Sequence, residues 1–307
     1  SESACSQGSR CGSSESACGQ DSRCDSSESA RRACSQGFCC RTESSCGHQV
    51  ILMTEGLTRR QQALLRSLRA RHGRKNSEFC LCDGQRPCAE ILAGRPDLVE
   101  LLILRDDRTS IELPSCHAET VILNGAEFDS LAPTVHSQGV MVLARRPDPV
   151  PADSHVPDPF VLVLDRVGDP GNFGTILRTA RAVGLHEVWI TAGSADPFSD
   201  KILRSASGAQ FVLGIRNAGN LEETAAALKH LGVGTFFRTL PAGGENLFRT
   251  EDVFRNSAVI LGCEATGVAA LEGARALHIP MPGDAESLNV AQAATVVLFE
   301  YVRRLFG

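Results

Sequence analysis

Short apolar segments alternate with helical segments throughout residues 160–307, and this alternation constrains the fold more than any other feature. Phe160–Asp165 begins with five consecutive apolar residues, which is typical of a strand buried on both faces of a parallel sheet. Near the C-terminus, Val290, Ala294 and Val297 recur at the spacing of one helix face. The predicted strands are 160–165, 187–191, 210–215, 234–240, 258–262 and 277–281, and the predicted helices are 174–183, 201–207, 221–231 and 288–305. The sequence therefore predicts an α/β fold with a parallel sheet covered by helices on both faces.

A smaller α/β domain is predicted in front of this one. Residues 51–146 contain a second, shorter alternation of strand and helix patterns. Five prolines between residues 147 and 159 predict a stiff linker to the domain at 160–307. Cys80 and Cys82 alternate within one predicted strand, which favours small buried side chains over metal ligands, so no metal site is predicted.

Residues 1–50 are rich in Ser, Gly and Cys and hold eight of the 13 cysteines of the chain. The pentapeptide Ser-Glu-Ser-Ala-Cys occurs at 1–5 and again at 14–18, and bulky apolar residues are nearly absent. Such a tract buries too little apolar surface to offset its ordering entropy, so it is predicted to be a disordered tail or an artefact at the start of the chain. The cysteine spacing disfavours a zinc knuckle, and a disulfide framework would require an oxidising compartment.

Charge and hydropathy disfavour several classes of protein. The chain has no run of about 18 apolar residues, so no membrane span is expected. No basic segment followed by an apolar one marks a signal peptide, which favours a cytoplasmic location. The net charge of −5 is not that of a protein that binds nucleic acid over its whole surface. A nucleic-acid partner would therefore need a local basic patch.

One basic patch lies between residues 59 and 75, where seven cationic residues occur without any acidic residue. The apolar residues Leu64, Leu65 and Leu68 fit one face of a helix, which is predicted to end at Gly73. A run of charge is often only a solvated helix face, but cations unrelieved by carboxylates also favour contact with an RNA backbone. The residues predicted to bind RNA are Arg59, Arg60, Arg66, Arg69, Arg74 and Lys75.

Glycine-bearing loops follow three of the predicted strands, which is where α/β proteins bind ligands. The first loop follows residues 160–165 and contains the glycines Gly168, Gly171 and Gly174. Their GxxGxxG spacing differs from the dinucleotide-binding GxGxxG pattern, and no GxxxxGK[ST] loop is present, so both nucleotide-binding classes are disfavoured. Asn172 is predicted to cap the helix that carries Arg178, and a capped helix start near an arginine favours an anion.

The other two loops place further polar residues at strand ends. Glu264 lies two residues beyond the predicted buried strand 258–262, in an environment from which carboxylates are usually excluded. Ser287 is predicted to cap the C-terminal helix, and Asn289 stands beside it.

Together, the three loops resemble the signature motifs of the SpoU/TrmH branch of the SPOUT RNA methyltransferases. The matching segments are 169–180, 262–267 and 279–290. Residues 57–144 are similar, more loosely, to the substrate-binding domain related to ribosomal protein L30e, with Asp83-Gly84 at the usual acidic-glycine step. The resemblance implies a SPOUT domain with a deep trefoil knot, an L30e-like domain in front, S-adenosylmethionine as cofactor, and a homodimer formed through the C-terminal domain.

The resemblance also assigns the residues of the site. The catalytic residues would be Asn172, Arg178, Glu264, Ser287 and Asn289, and the cofactor would contact Thr239, Gly262, Ile279 and Leu288. An arginine pKa above about 12 disfavours Arg178 as a base, so we expect it to bind phosphate and stabilise charge. Cys263 stands where the family commonly has Asn, a departure that affects the wall of the cofactor site.

The predicted activity is transfer of a methyl group to a ribose 2′-hydroxyl of RNA. The basic helix and the domain in front favour ribosomal RNA over transfer RNA as the substrate. A transfer RNA enzyme is the alternative within the class. A non-catalytic RNA-binding or assembly factor on the same fold is the alternative outside it, and the presence of all five motif residues disfavours that alternative.

Overall fold

The structure is a computed structural model that describes residues 53–108, 111–151, 153–263 and 265–307, so the predicted tail lies outside the described residues. The first sheet contains β1 (Met53–Glu55), β2 (Phe79–Asp83), β3 (Val99–Arg105), β4 (Glu119–Leu123) and β5 (Val140–Arg145), with helices α1 (Arg59–Leu68), α2 (Arg71–Lys75), α3 (Gln85–Gly94) and α4 (Gly125–Leu131). The strand order is β1-β4-β3-β5-β2. β4 pairs in parallel with β1 and β3, whereas β5 pairs antiparallel with β2 and β3.

The basic segment forms two helices, so the prediction of one helix ending at Gly73 is wrong. Thr58 caps α1, because its hydroxyl accepts from the Gln61 N–H at 3.2 Å and the Gln61 side chain accepts from the Thr58 N–H at 2.8 Å. The chain then turns sharply after Leu68. A Cβ at position 73 would lie 2.1 Å from the Ser67 carbonyl oxygen, so glycine there permits the turn and lies inside α2.

Seven strands form the second sheet. They are β6 (Phe160–Asp165), β7 (Glu187–Ile190), β8 (Gly214–Asn217), β9 (Thr235–Thr239), β10 (Glu245–Asn246), β11 (Ser257–Gly262) and β12 (Arg275–His278), with helices α5 (Pro170–Ala182), α6 (Asp200–Ser205), α7 (Leu221–His230) and α8 (Val290–Phe306). The order is β10-β12-β9-β11-β6-β7-β8 and all neighbours pair in parallel, which confirms the predicted parallel sheet.

Helices cover both faces of this sheet. On one face, α5 and α8 contribute buried residues such as Ile176 and Val297 to a core that includes Phe237 of β9. On the other face, α7 packs against a core that includes Trp189 and Phe236. The alternation of Phe236 and Phe237 between the two cores follows from the two-residue period of a strand.

Both site-bearing helices begin at a different residue from the one predicted. Asp169 caps α5, since its carboxylate accepts from the Asn172 N–H at 2.7 Å, and Pro170 occupies the first helical position. Asn172 therefore lies inside the first turn instead of capping it. Asn289 caps α8 in place of Ser287, because its side-chain oxygen accepts from the Ala291 N–H at 2.9 Å.

The strand predicted at 210–215 is the largest error in the second sheet. Residues 209–211 form a short 3-10 helix, and the strand begins only at Gly214. Phe211 is buried in a core with Leu203, with Cys80 of the first sheet and with Ile91 of α3. Its hydrophobicity therefore reflects contact between the sheets and not membership of a strand. Strand β12 runs 275–278 instead of the predicted 277–281, and the two-residue strand β10 was not predicted.

The two sheets belong to one compact unit. Besides the shared core, Arg181 of α5 forms an ion pair with Glu90 of α3 at 3.0 Å. The proline-rich segment is held as well, because Arg216 of β8 donates to the carbonyl oxygens of Pro151 and Ser154 at 3.1 and 3.0 Å. The stiff linker is thus packed along the protein, and the division into two domains stays a prediction.

No helix within the described residues is long and apolar enough to cross a bilayer. In the same ranges, no three His, Cys, Asp or Glu side chains gather in a group that could hold a metal ion.

The buried pair formed by Arg216 and Glu187 should dominate the stability of the region around β8. Both side chains are nearly inaccessible, at 3% and 5%, and lie 2.8 Å apart. The substitution Arg216→Met should lower the free energy of unfolding by about 3–5 kcal/mol, because it leaves a buried carboxylate without its partner.

Urea unfolding of the single variant and of Arg216→Met/Glu187→Gln tests this expectation. The double variant should recover at least about 1 kcal/mol, since Gln removes the unpaired charge and still accepts from Trp189, whose indole now donates to Glu187 at 2.9 Å. A double variant no more stable than Arg216→Met alone would contradict this assignment.

Candidate active site

A cavity of about 680 Å³ opens at the carboxyl ends of β9, β11 and β12. Its described walls are residues 238–241, 261–263, 265–268, 277–279 and Met281, together with residues 287–290 at the start of α8. Of the residues predicted to hold a cofactor, Thr239, Gly262, Ile279 and Leu288 all line it. The topology places it where parallel sheets bind ligands, beyond the strand ends.

Close backbone contact shapes the floor of this cavity. Gly267 and Val268 lie back over the end of β11, so that a Cβ at Gly262 would lie 2.3 Å from the carbonyl carbon of Gly267. No other residue fits there without moving the loop. The Thr239 hydroxyl donates to the Ile260 carbonyl at 2.9 Å, which fixes the end of β9 against β11.

An acidic residue that the motif analysis did not single out holds the same loop from the side of β6. The buried Asp165 carboxylate accepts from the Ala269 N–H and from the Thr191 hydroxyl, each at 2.9 Å. Arg166, with a φ of 55°, pairs with Asp165 and donates to the Gly267 carbonyl at 3.3 Å. This left-handed conformation is unusual for a residue with a side chain. The acid that ends an otherwise apolar strand was the available sequence signal.

Asn172 and Asn289 meet at the rim of the cavity although 117 residues separate them in the chain. The Asn289 side-chain amide donates to the Asn172 side-chain oxygen at 3.1 Å. The Asn289 oxygen simultaneously caps α8 through the Ala291 N–H. One side chain therefore joins the first motif loop to the third.

Comparison with known proteins now identifies the family. A sequence model described as the SpoU rRNA methylase family matches residues 159–299. The chain is 31% identical over 237 residues to the 23S rRNA (guanosine(2553)-2′-O)-methyltransferase RlmP of Bacillus subtilis. This alignment covers 76% of this chain and 92% of the relative. The chain belongs to the SpoU rRNA methylase family. The family resemblance predicted from the three motif loops is therefore confirmed.

Two solved structures extend this similarity beyond the SpoU segment itself. A TrmH-family protein from Porphyromonas gingivalis has a TM-score of 0.67 at 30% identity and covers 81% of this chain and 99% of its own. The SpoU methyltransferase AviRb from Streptomyces viridochromogenes, solved in complex with the cofactor AdoMet, has a TM-score of 0.67 at 26% identity and covers 82% of this chain and 99% of its own.

Of the other three catalytic residues expected from the SpoU motifs, the structure describes Ser287 and Arg178. Ser287 is exposed and lines the cavity. Arg178 is exposed on α5, outside the cavity lining, and within the described ranges it forms no ion pair or hydrogen bond. Glu264 lies outside the described residues. The catalytic roles predicted for these residues therefore stay predictions.

Two cavity residues were missed by sequence analysis. Arg238 and His278 line the cavity, and Arg238 is the only Lys or Arg in the part of the lining that the structure describes. The Arg238 Nε and the His278 Nδ1 are buried without a hydrogen-bond partner among the described residues. The only feature of the sequence that could have indicated Arg238 is a charged residue inside a predicted strand, where apolar residues are expected.

The six residues predicted to bind RNA divide into two groups. Arg59, Arg60, Arg66 and Lys75 are exposed, and none has an ion-pair partner among the residues described. By contrast, the Arg69 guanidinium donates to the Ser130 carbonyl at 2.6 Å, and that of Arg74 donates to the Arg69 carbonyl at 2.8 Å. The second group holds α1 and α2 in place and is less available to a ligand.

Cys263 is the one partly exposed cysteine among those that the structure describes. Backbone hydrogen bonds from Ala265 and Thr266 lower the pKa of its thiol from the ordinary value of 9.0, and Arg166 adds a smaller favourable charge. In contrast, burial raises the pKa of the Cys80 thiol. A lowered pKa means more thiolate, which is the nucleophilic form, at neutral pH.

Alkylation by iodoacetamide should therefore distinguish these two cysteines. Cys263 should react well before Cys80 at pH 7, and the midpoint of its rate against pH should lie below pH 9.0 because its thiol ionises earlier than an ordinary one. Peptide mass spectrometry of the native protein between pH 6 and about 9 measures both rates in one sample. Equal rates for both peptides would contradict the described exposure and charge.

Proposed function

We propose that this chain transfers the methyl group of S-adenosylmethionine to a ribose 2′-hydroxyl of ribosomal RNA. The observation that carries the proposal is the contact between Asn172 and Asn289, which brings two motif loops together at the cavity rim. The names of the relatives add support, since RlmP is a 23S rRNA 2′-O-methyltransferase and shares 31% of its aligned residues with this chain.

S-adenosylmethionine fits the cavity in size and polarity. A volume of about 680 Å³ lies within the usual range for small-molecule sites. Backbone at Gly262, Ile279 and Leu288 would hold the adenosine, while Thr239 forms the opposite wall. The glycine at position 262 lets the loop pass close to the strand end, so a flat base can lie against backbone. The side chains of Arg238 and His278, each with one nitrogen that has no partner among the described residues, add polar groups to the lining for the rest of the molecule.

The cofactor supplies an electrophilic methyl group, so the residues of the chain must position a weakly acidic hydroxyl and stabilise charge. Asn172, oriented by Asn289, would hydrogen-bond the reacting ribose. Arg178, exposed one and a half turns further along α5, would bind the adjacent phosphate as a permanent cation. Ser287 at the cavity edge would maintain the loop geometry. Glu264 would orient the arginine or the ribose.

Ribosomal RNA is favoured over transfer RNA as the substrate by the basic face in front of the SpoU segment. Arg59, Arg60 and Arg66 are exposed on α1, and Lys75 follows on α2. Such a face binds RNA through phosphates and releases counterions.

A second copy of the chain would complete the protein as a homodimer through the SpoU segment. The outer face of α8 exposes Phe299 and Phe306, with side chains 53% and 86% accessible. Phe248 is exposed as well, at 46%. Apolar side chains exposed at helical spacing favour packing against another protein surface.

Methyl transfer to purified ribosomal RNA tests the proposed function directly. The protein should transfer label from S-adenosylmethionine to deproteinised ribosomal RNA, and mass spectrometry of the digested RNA should place the methyl on ribose. Label on transfer RNA alone would favour the alternative substrate. Tight RNA binding with no label in any RNA would favour a non-catalytic binding factor and contradict the proposal.

The substitution Arg178→Ala should abolish transfer, by at least about 100-fold, while binding of S-adenosylmethionine stays within about twofold, because the arginine lies outside the cavity lining. Arg181→Ala is the matched control, since it removes a charge one turn further along α5 and only breaks a surface ion pair with Glu90. Equal loss of transfer and cofactor binding in Arg178→Ala would show that its role is assigned wrongly.

Replacing Arg59, Arg60 and Arg66 by Ala should weaken RNA binding. In a plot of the logarithm of the association constant against the logarithm of the salt concentration, the slope should become less steep by about 2, because three phosphate contacts are lost. Arg69 and Arg74 are left unchanged because they donate to backbone carbonyls. A triple control at the exposed residues Lys229, Arg249 and Arg255 should leave the slope unchanged. An unaltered slope in the first variant would show that α1 does not contact the RNA.

A further inference from the structure

We infer that Arg238 binds the carboxylate of the cofactor's amino-acid moiety and so selects S-adenosylmethionine over analogues that lack this group. This inference rests on the cofactor named in the proposed function and assigns one additional residue to the same cavity. None of the motif residues supplies a permanent cation to the cavity wall, and Arg238 is the only Lys or Arg among the described lining residues.

The register of the sheet places Arg238 on the loop side of the cavity. Arg238 pairs with Ala276 of β12 and Ile260 of β11, and shares its sheet face with Phe236. Gly262 follows Ile260 by two residues, so the loop at 263–268 folds over this same face. The guanidinium is therefore between the sheet and the loop that closes the floor of the cavity.

One nitrogen of the Arg238 guanidinium forms a hydrogen bond within the protein, and another has no partner among the described residues. The Arg238 Nη2 donates to the Val268 carbonyl at 3.2 Å, which holds the side chain in one orientation. Its Nε is buried and, among the described residues, has no acceptor. A buried donor without a partner is costly, so the guanidinium would gain from one more acceptor, and the cavity that Arg238 lines is where a ligand could supply it. His278, two residues beyond Ala276 on the same face, contributes a second buried nitrogen without a described partner.

The charge of the site favours a carboxylate as that ligand. The described lining contains no Asp or Glu, so no residue there competes for the guanidinium. S-adenosylmethionine carries one carboxylate, and a planar guanidinium held by a backbone carbonyl is pre-organised to pair with it. Decarboxylated S-adenosylmethionine lacks only this group and provides a direct comparison.

Calorimetric binding of both compounds to the full chain tests the inference without requiring methyl transfer. The wild-type protein should bind S-adenosylmethionine about 10- to 100-fold more tightly than decarboxylated S-adenosylmethionine, the effect expected of one charge-assisted pair. Arg238→Gln, which still offers an N–H to the Val268 carbonyl, should lose most of this preference by weakening S-adenosylmethionine alone. Arg238→Lys should retain part of it, and Arg255→Gln, which changes an exposed arginine, should retain all of it.

Each outcome either supports or overturns the assignment. Equal weakening of both compounds by Arg238→Gln would show that the arginine only supports the loop. An unchanged preference would show that the guanidinium faces another ligand, such as an RNA phosphate. Both results would overturn the inference and leave the proposed function intact, whereas failure of the unchanged protein to bind S-adenosylmethionine would overturn the two together.

Discussion

The side chain of Asn289 makes the interaction on which the rest of the site depends. Its oxygen accepts from the N–H groups of Ala291 and Gln292, which starts α8, and its amide donates to Asn172 on α5 at 3.1 Å. A cap and a cross-helix hydrogen bond therefore share one residue. Because both helices also bury apolar residues in the same core, the position of the rim is set by packing as well as by polar contacts.

The opposite side of the cavity depends on a backbone that folds tightly onto itself. Gly262 allows the chain to return across the end of β11, and three side chains hold the returning loop by its backbone. Asp165 accepts from Ala269, while Arg166 and Arg238 donate to the two carbonyls before it. The shape of this side of the cavity is thus set by side chains that hold backbone, as is expected where precise positioning is needed.

Much of the fold could be predicted because it follows from periodicity. The buried strand β6 occupies its predicted range and β11 begins one residue before its own, and the parallel order follows from the alternation with helices. Cap residues were harder, because Ser287 and Asn289 both suit a helix start and only the path of the chain selects Asn289. The apolar run at 210–215 was misassigned, since Phe211 is buried by the first sheet and the sequence does not show which surface covers it.

For the site, the motif residues were predictable and their supports were not. Arg166 holds its left-handed conformation while it contacts Asp165 and Gly267. Asp165 is its neighbour in sequence, but Gly267 lies 101 residues away, so this contact could not be predicted. Arg238 occupies a strand position where an apolar residue is expected, so its place in the cavity appears only from the register of β9 with its neighbours. Threading of α8 through a knot also stays a prediction.

A crystal structure of the protein with S-adenosylhomocysteine tests the central claim most directly. The account predicts one bent ligand in the cavity, with its adenine between the segments 262–268 and 287–290 and its sulfur facing Asn172. A ligand bound elsewhere, such as at the glycine turn of residues 168–174 or on the first sheet, would contradict it.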